Sequence, residues 1–140
     1  MNIYFSCSIT GGRNDQKNYK AIVDYLLTEG HDVPTAHLSS ENILDDEAVI
    51  EPVDVYHRDV KWVNECDALI AEVSTPSHGV GYEIALALSL NKPVFCCFQE
   101  GRRISKMLTG NTHSCFHLAL YKDVDDLLSK IEQFLSGIKK

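Results

Sequence analysis

Short apolar runs alternate along the whole chain with segments in which apolar residues recur every three or four positions. The apolar runs, each predicted as a strand, cover residues 3–5, 31–35, 68–73, 94–98 and 115–120. Strands that alternate with helices are typical of an α/β domain with a parallel sheet, because parallel strands need long crossover connections. The sequence therefore predicts a doubly wound, Rossmann- or flavodoxin-like sheet of five parallel strands flanked by helices.

The segments between these strands have helical spacing, and capping residues or glycines mark several of their ends. The predicted helices run from Asn14 or Asp15 to Gly30, and over residues 53–65, 82–90, 104–108 and 124–138. A polar stretch over residues 37–46 carries no predicted strand or helix. No linker or repeat interrupts the pattern, and 140 residues is the size of one domain. We therefore predict a single domain over residues 1–140.

The charge of the chain argues against a nucleic acid polymer as its partner. The formal net charge is −7, and the four arginines, Arg13, Arg58, Arg102 and Arg103, are scattered along the sequence. Binding a polyanion depends on a basic face that neutralises its phosphates, and no such stripe is visible. A small anionic substrate is compatible with the charge, because one or two local donors can hold a single phosphate.

The apolar content and the cysteines indicate the cellular compartment in which the protein functions. No apolar stretch approaches the roughly 20 residues that cross a bilayer, and the amino terminus does not read as a signal peptide. The five cysteines form no CxxC pair, and their number is odd. We interpret them as buried thiols in a reducing compartment, and expect a cytoplasmic protein without membrane contact.

A doubly wound sheet binds its ligands beyond the carboxyl ends of its strands. This rule points to the segments 6–13, 74–81 and 110–114, which are rich in glycine, serine and threonine. The first contains Gly11, Gly12 and Arg13, so its backbone and its guanidinium could hold a phosphate. An ordinary strand-to-helix turn would use the same residues, and the sequence alone leaves both interpretations open.

Two carboxylates are candidates for chemistry. Glu83 stands near the predicted start of a strongly apolar helix, where it either caps the helix or serves as an ionised nucleophile in a dry pocket. Asp59 is either a solvated helix residue or the partner of that nucleophile. His113 and His117 have a spacing that metal ligands use, but no third ligand is evident, so we expect no metal.

Five segments considered together resemble one enzyme family. They are residues 4–13 (YFSCSITGGR), 59–62 (DVKW), 71–83 (AEVSTPSHGVGYE), 91–92 (NK) and 107–114. In this order they resemble the 2′-deoxynucleoside 5′-phosphate N-hydrolases of the nucleoside 2-deoxyribosyltransferase superfamily. The resemblance spans nearly the whole chain, and its most specific part is the run that ends at Glu83.

The resemblance implies a catalytic role for three residues. Glu83 would attack the anomeric carbon of the deoxyribose and form a covalent ester. Asp59 would protonate the departing base or activate water afterwards, and Tyr4 would orient the nucleophile. Two carboxylates in these roles match the logic of a retaining glycosidase. No cofactor is implied.

The resemblance also implies a set of substrate-binding residues: Ser8, Ile9, Gly11, Gly12, Arg13, Ser77, Gly79 and Ser114. Most of them would hold the 5′-phosphate of a deoxynucleoside monophosphate, while Ile9 would pack near the sugar and disfavour a 2′-hydroxyl. In this family the serine matched by Ser114 comes from the neighbouring subunit. The resemblance therefore implies a homodimer whose active site is completed across the interface.

Two other functions remain compatible with the sequence. The first is a nucleoside deoxyribosyltransferase, which passes the sugar to a second base. Such enzymes usually carry an acidic residue six positions before the nucleophile, where this chain has Ser77, and a hydroxyl there favours a phosphorylated substrate. The second is a nucleotide- or flavin-binding module without activity, which would not need Tyr4, Asp59 and Glu83 together.

Overall fold

The structure is a computed structural model, and it describes residues 1–9 and 15–138. The strands are β1 (Ile3–Ser6), β2 (Ala68–Glu72), β3 (Val94–Gln99) and β4 (Phe116–Tyr121). The helices are α1 (Gln16–Thr28), α2 (Ile43–Ala48), α3 (Pro52–Glu65), α4 (His78–Ser89), α5 (Lys106–Thr109) and α6 (Val124–Ile138), and a 3₁₀ turn covers Ala36–Ser39. The polar stretch that carried no prediction, residues 37–46, thus contains most of the 3₁₀ turn and most of α2.

The four strands form one parallel sheet in the order β1-β2-β3-β4. Helices cover both faces, so the α/β fold with a doubly wound parallel sheet is confirmed. Within the described residues, no helix is both long enough and apolar enough to cross a membrane.

The prediction of a fifth strand over residues 31–35 was wrong. This segment joins the sheet only through a single parallel bridge at Asp32, beside β1. Pro34 has no N–H to donate, so a regular ladder cannot continue. One residue later, the hydroxyl of Thr35 rather than a backbone carbonyl accepts a hydrogen bond from the N–H of Phe5, at 2.9 Å. The N–H groups at the outer edge of β1 thus have hydrogen-bond acceptors although no regular strand lies beside it.

The two faces of the sheet carry two separate cores. Ile3 and Phe5 of β1 face a core shared with α1 and α6, whereas Tyr4 and Leu69 face a core shared with α3 and α4. This division follows from the alternation of side chains along a strand. Strands buried on both faces are typical of parallel sheets.

Helix α4 begins earlier than its sequence predicts. Its first residue is His78 rather than Tyr82, and Ser77 is the N-cap, whose hydroxyl accepts a hydrogen bond from the N–H of Val80 at 3.4 Å. The N-cap offsets the cost of the two glycines in the first turn. Glu83 is consequently the sixth residue of α4, so it does not cap the helix as a first-turn carboxylate would.

Residues 110–114 do not lie at the carboxyl edge of the sheet, so this prediction was also wrong. They directly precede β4, and the carbonyl of Cys115 accepts a hydrogen bond from the N–H of Val94 at the start of β3, at 2.9 Å. Because β4 runs parallel to β3, the connection between them must return to the amino edge. Ser114 therefore lies at the opposite edge from the loops that follow β1 and β2.

Candidate active site

The side of β1 that faces α3 and α4 carries polar groups at its carboxyl end. Tyr4 and Ser6 are two residues apart, so they share this face, and both are fully buried. The hydroxyls of both residues favour the ionised form of the Glu83 carboxyl on α4. In the sequence, Ser6 belongs to the predicted loop segment 6–13, although its alternation with Tyr4 already places the two residues on one face.

Burial dominates the electrostatics of Glu83. It raises the pKa of the carboxyl to about 7, while the hydroxyls of Tyr4 and Ser6 oppose the rise and the charge of Asp59 adds to it. Burial, followed by the charge of Glu83, also raises the pKa of Tyr4. Tyr4 therefore stays protonated and can only donate to a carboxylate. A carboxyl that titrates near neutral pH is a common property of catalytic acids, bases and nucleophiles.

Three polar side-chain atoms in the cluster of Tyr4, Ser6 and Glu83 are buried without a hydrogen-bond partner of ordinary geometry. Among residues 1–9 and 15–138, Tyr4 Oη, Ser6 Oγ and Glu83 Oε2 have no partner within ordinary hydrogen-bond length and angle. Leaving such groups unpaired costs roughly 1–3 kcal/mol each. Catalytic hydrogen bonds are often long before a substrate binds, so the cluster has the character of a site prepared for a ligand.

A cavity of about 210 Å³ opens between α3 and α4, and both candidate carboxylates line it. Its lining residues are Tyr56, Asp59, Val60, Val63, Gly79, Tyr82, Glu83 and Leu86. The walls are largely apolar, with one carboxylate contributed by each helix. Such a setting strengthens electrostatic interactions with a bound molecule.

Gly79 keeps one side of the nucleophile candidate accessible. A Cβ atom at this position would lie 3.7 Å from Glu83 Oε1, in van der Waals contact with the carboxylate. Gly79 is exposed and one helical turn before Glu83. Its missing side chain therefore leaves a path from solvent to the carboxylate oxygen.

Asp59 is held by its neighbour in the chain, Arg58, for which the sequence predicts no role in the site. Its Oδ1 accepts a hydrogen bond from Nε of Arg58 at 2.8 Å, and 22% of the Asp59 side chain is exposed. Arg58 also contacts Glu47 of α2. The sequence could show that Arg58 adjoins Asp59, but a contact with Glu47 depends on how α2 packs on α3.

The remaining predicted binding residues fall into four groups. Ser8 is buried after β1, and Ile9 is half-buried against the core that contains Ile3 and Phe5. Ser77 caps α4. Gly11, Gly12 and Arg13 lie outside the described residues, and Ser114 is exposed at the other edge of the sheet.

A second buried carboxylate occupies the opposite face of the sheet. Glu72 of β2 is fully buried, and its Oε1 accepts hydrogen bonds from the N–H of Ser74 at 2.9 Å and from its hydroxyl at 2.5 Å. Burial raises the pKa of Glu72 to about 7, and the two Ser74 contacts oppose the rise. Ile70, on the same face, belongs to the core with α1 and α6, so Glu72 takes no part in the cavity.

Glu72 should make stability depend on pH. Its pKa is about 7 in the folded chain against an ordinary value of 4.5. Its stabilising contribution is therefore complete below pH 4.5 and is lost as pH rises to about 7. We expect the free energy of unfolding of Glu72→Gln to rise by about 3 kcal/mol, relative to that of the parent chain, between pH 4 and pH 8. Urea unfolding of both proteins at the two pH values measures this, and a pH-independent difference would contradict the buried, raised carboxyl.

Comparisons with known proteins bear on this geometry. A family model described as nucleoside 2-deoxyribosyltransferase matches residues 3–129. The 5-hydroxymethyl-dUMP N-hydrolase of Danio rerio is 37% identical and covers 100% of this chain and 99% of its own. A protein of Thermofilum pendens, named provisionally as a 2′-deoxynucleoside 5′-phosphate N-hydrolase, is 37% identical over 98% of this chain and 96% of its own.

A solved structure agrees on the fold. The CMP N-glycosidase BcmB of Clostridium botulinum superposes with a TM-score of 0.71 at 21% identity, over 95% of this chain and 99% of its own. At that identity the likeness concerns the architecture alone. The family model covers most of the chain, including Tyr4, Asp59 and Glu83. The resemblance drawn from the sequence is therefore confirmed, and this chain belongs to the nucleoside 2-deoxyribosyltransferase family.

Proposed function

We propose that this protein hydrolyses the N-glycosidic bond of 2′-deoxynucleoside 5′-monophosphates, releasing the nucleobase and 2-deoxyribose 5-phosphate. One observation carries the proposal: a half-buried glutamate, whose buried Oε2 has no partner among the described residues, shares a cavity with a second carboxylate. The names of the N-hydrolase relatives, which cover nearly the whole chain, support this substrate class.

The reaction proceeds in two displacements. The Glu83 carboxylate attacks C1′ of the sugar while the bond from C1′ to the base nitrogen breaks, giving a deoxyribosyl ester. Asp59 donates a proton to the departing base. It then removes a proton from water, which attacks C1′, releases the sugar phosphate and restores Glu83. Once substrate is bound, the hydroxyls of Tyr4 and Ser6 close onto the carboxylate, whose ionised form they already favour.

The phosphate of the substrate is placed beyond the end of β1. Ser8 is buried there, and the segment with Gly11, Gly12 and Arg13 follows it in the chain. Ser77 contributes from the start of α4, where backbone N–H groups favour an anion. Ile9 keeps its proposed role of packing near the sugar.

A homodimer completes this site. Ser114 lies at the amino edge of the sheet and Glu83 near the carboxyl edge, so Ser114 reaches a phosphate only from a second copy. The surface of α4 supports this arrangement. A groove of about 630 Å³ runs between α4 and the segment around α5, and its apolar lining includes Met107, which is 82% exposed. An apolar face of this kind is typical of a subunit contact.

The cytoplasm is the proposed site of action. None of the five cysteines forms a disulfide, and Cys96 and Cys97 of β3 are buried. Burial raises the pKa of the Cys96 thiol to about 12, so this group is unreactive. Thiols of this kind fit a reducing compartment.

A substrate panel tests the function. The purified protein is incubated with the four common deoxynucleoside monophosphates and with the matching nucleosides, each with and without a second free base. We expect base release from monophosphates at least about tenfold faster than from nucleosides, because the charged phosphate contacts exist only for the former. Chromatography follows base, sugar phosphate and any new nucleotide.

Each of the other possible results would indicate a different function for the protein. Formation of a new nucleotide or nucleoside when a second base is present would make the protein a transferase. An absence of reaction with every substrate, together with tight nucleotide or flavin binding, would favour a binding module.

A further inference from the structure

Asp59 is the inner end of a chain of charged contacts that leads out of the cavity. His37 Nε2 lies 2.9 Å from Glu47 Oε1, and the same oxygen accepts a hydrogen bond from Nη2 of Arg58 at 3.0 Å. Nε of Arg58 donates to Oδ1 of Asp59 at 2.8 Å. One guanidinium therefore bridges two carboxylates, one of which belongs to the cavity and the other to α2.

Helical spacing does not explain the contact between Arg58 and Asp59. Adjacent residues of a helix point in directions about 100° apart, so their side chains do not normally meet. Here the guanidinium lies over the ring of Trp62, with Cζ 4.9 Å from the ring centroid. Glu47 holds the outer end of the guanidinium, and only 13% of the Glu47 side chain is exposed. Two contacts thus fix Arg58 in the conformation that reaches Asp59.

The bridge leaves one oxygen of Asp59 for chemistry. Within the part of the chain that the structure describes, Oδ1 binds Arg58 and Oδ2 forms no hydrogen bond. A carboxylate held through one oxygen presents the other in a defined direction. That geometry suits a group which must first give a proton and then take one.

We propose that Arg58 is a positioning residue for Asp59, held in place by Glu47, His37 and the ring of Trp62. The proposal rests on the proposed function, because Asp59 needs this orientation for proton transfer to the base and from water. It also makes the segment from the 3₁₀ turn to α2 part of the site, since His37 and Glu47 come from it.

A kinetic double-mutant cycle tests this role. Arg58→Gln removes the fork that bridges the two carboxylates, and we expect kcat to fall about tenfold to a hundredfold with KM changed less than about threefold. In an Asp59→Asn background, the same replacement should change kcat less than about twofold, because Arg58 acts through Asp59. Arg58→Lys should not restore kcat, since an ammonium cannot replace a planar fork.

Lys61→Gln is the matched control. It removes a positive charge from the same helix. Among the residues that the structure describes, Lys61 is paired only with Glu65, at 3.9 Å, and 70% of its side chain is exposed. We expect this variant to keep the parent kcat. Equal losses from Arg58→Gln in both backgrounds would overturn the proposal, as would a loss of the same size in Lys61→Gln.

Tryptophan fluorescence provides a second test, which does not depend on enzyme activity. Trp62 is the single tryptophan of the chain, and the rings of Trp62 and His37 lie 6.1 Å apart. Arg58→Gln and Glu47→Gln should therefore both shift the fluorescence and increase its quenching by acrylamide, whereas Lys61→Gln should not. If the parent protein releases no base, the proposed function fails, while this measurement still decides whether the contacts exist. Unchanged fluorescence in both variants would overturn the bridge itself.

Discussion

Replacing Glu83 with glutamine should lower kcat by roughly a thousandfold or more while the protein still binds its substrate. The amide cannot form the ester with C1′, although it fills the same volume and still meets Tyr4 and Ser6. The measurement is base release under single-turnover conditions, with binding of a deoxynucleoside monophosphate followed by calorimetry. Mass spectrometry of the rapidly quenched parent enzyme should show the deoxyribosyl ester on Glu83, and the variant should show none.

Glu72→Gln is the control for this experiment. Burial raises the pKa of both carboxyls to about 7, but Glu72 is fully buried and faces the core of α1 and α6 on the other side of the sheet. The control should keep kcat within about threefold, since glutamine can still accept from Ser74. Near-parent turnover in Glu83→Gln, or an equal loss in Glu72→Gln, would remove Glu83 as the nucleophile.

Asp59→Asn should lower kcat by about a hundredfold to ten-thousandfold with ordinary substrates, because a positioned acid and base contributes that much. The loss should depend on the leaving base. A 7-methylguanine base carries a positive charge and departs neutral without receiving a proton, so its release from the monophosphate should suffer least in the first step. Comparing the single-turnover rate of base release for 7-methyl-dGMP and dGMP in the parent and the variant measures this difference.

Lys61→Gln again serves as the reference on the same helix, since Lys61 is exposed and does not line the cavity. If Asp59→Asn slowed the release of both bases by the same factor, Asp59 would not be the proton donor. Its part would then be confined to the binding of substrate or the activation of water.

The parts of the fold that the sequence predicted are those set by local pattern. Helix α6 was predicted over the residues that it occupies, because apolar side chains recur along it at helical intervals. The pairing of Tyr4 with Glu83 and Asp59 was implied by the family resemblance. The structure adds a physical reason, since alternation on β1 turns Tyr4 and Ser6 toward α3 and α4.

Most of what the sequence could not predict depends on distant partners. Residues 31–35 read as a strand because of their composition, yet Thr35 satisfies the N–H of Phe5 through its side chain. The start of α4 was missed because the glycines outweighed the N-cap at Ser77 in a local view. Glu47 could not be linked to Arg58, because eleven positions separate them and α2 was not expected.

The sheet separates the residues that we propose to react from a core that does not line the cavity. Tyr4, Ser6, Asp59 and Glu83 all lie toward α3 and α4, whereas Ile3, Phe5 and Glu72 lie toward α1 and α6. On the proposed mechanism, a lineage can exchange side chains beneath α1 and α6, apart from Ile9, and so adjust to a new growth temperature while the residues proposed to react stay the same. For the protein engineer, that core, apart from Ile9, is where we expect stabilising replacements to accumulate with the least effect on turnover.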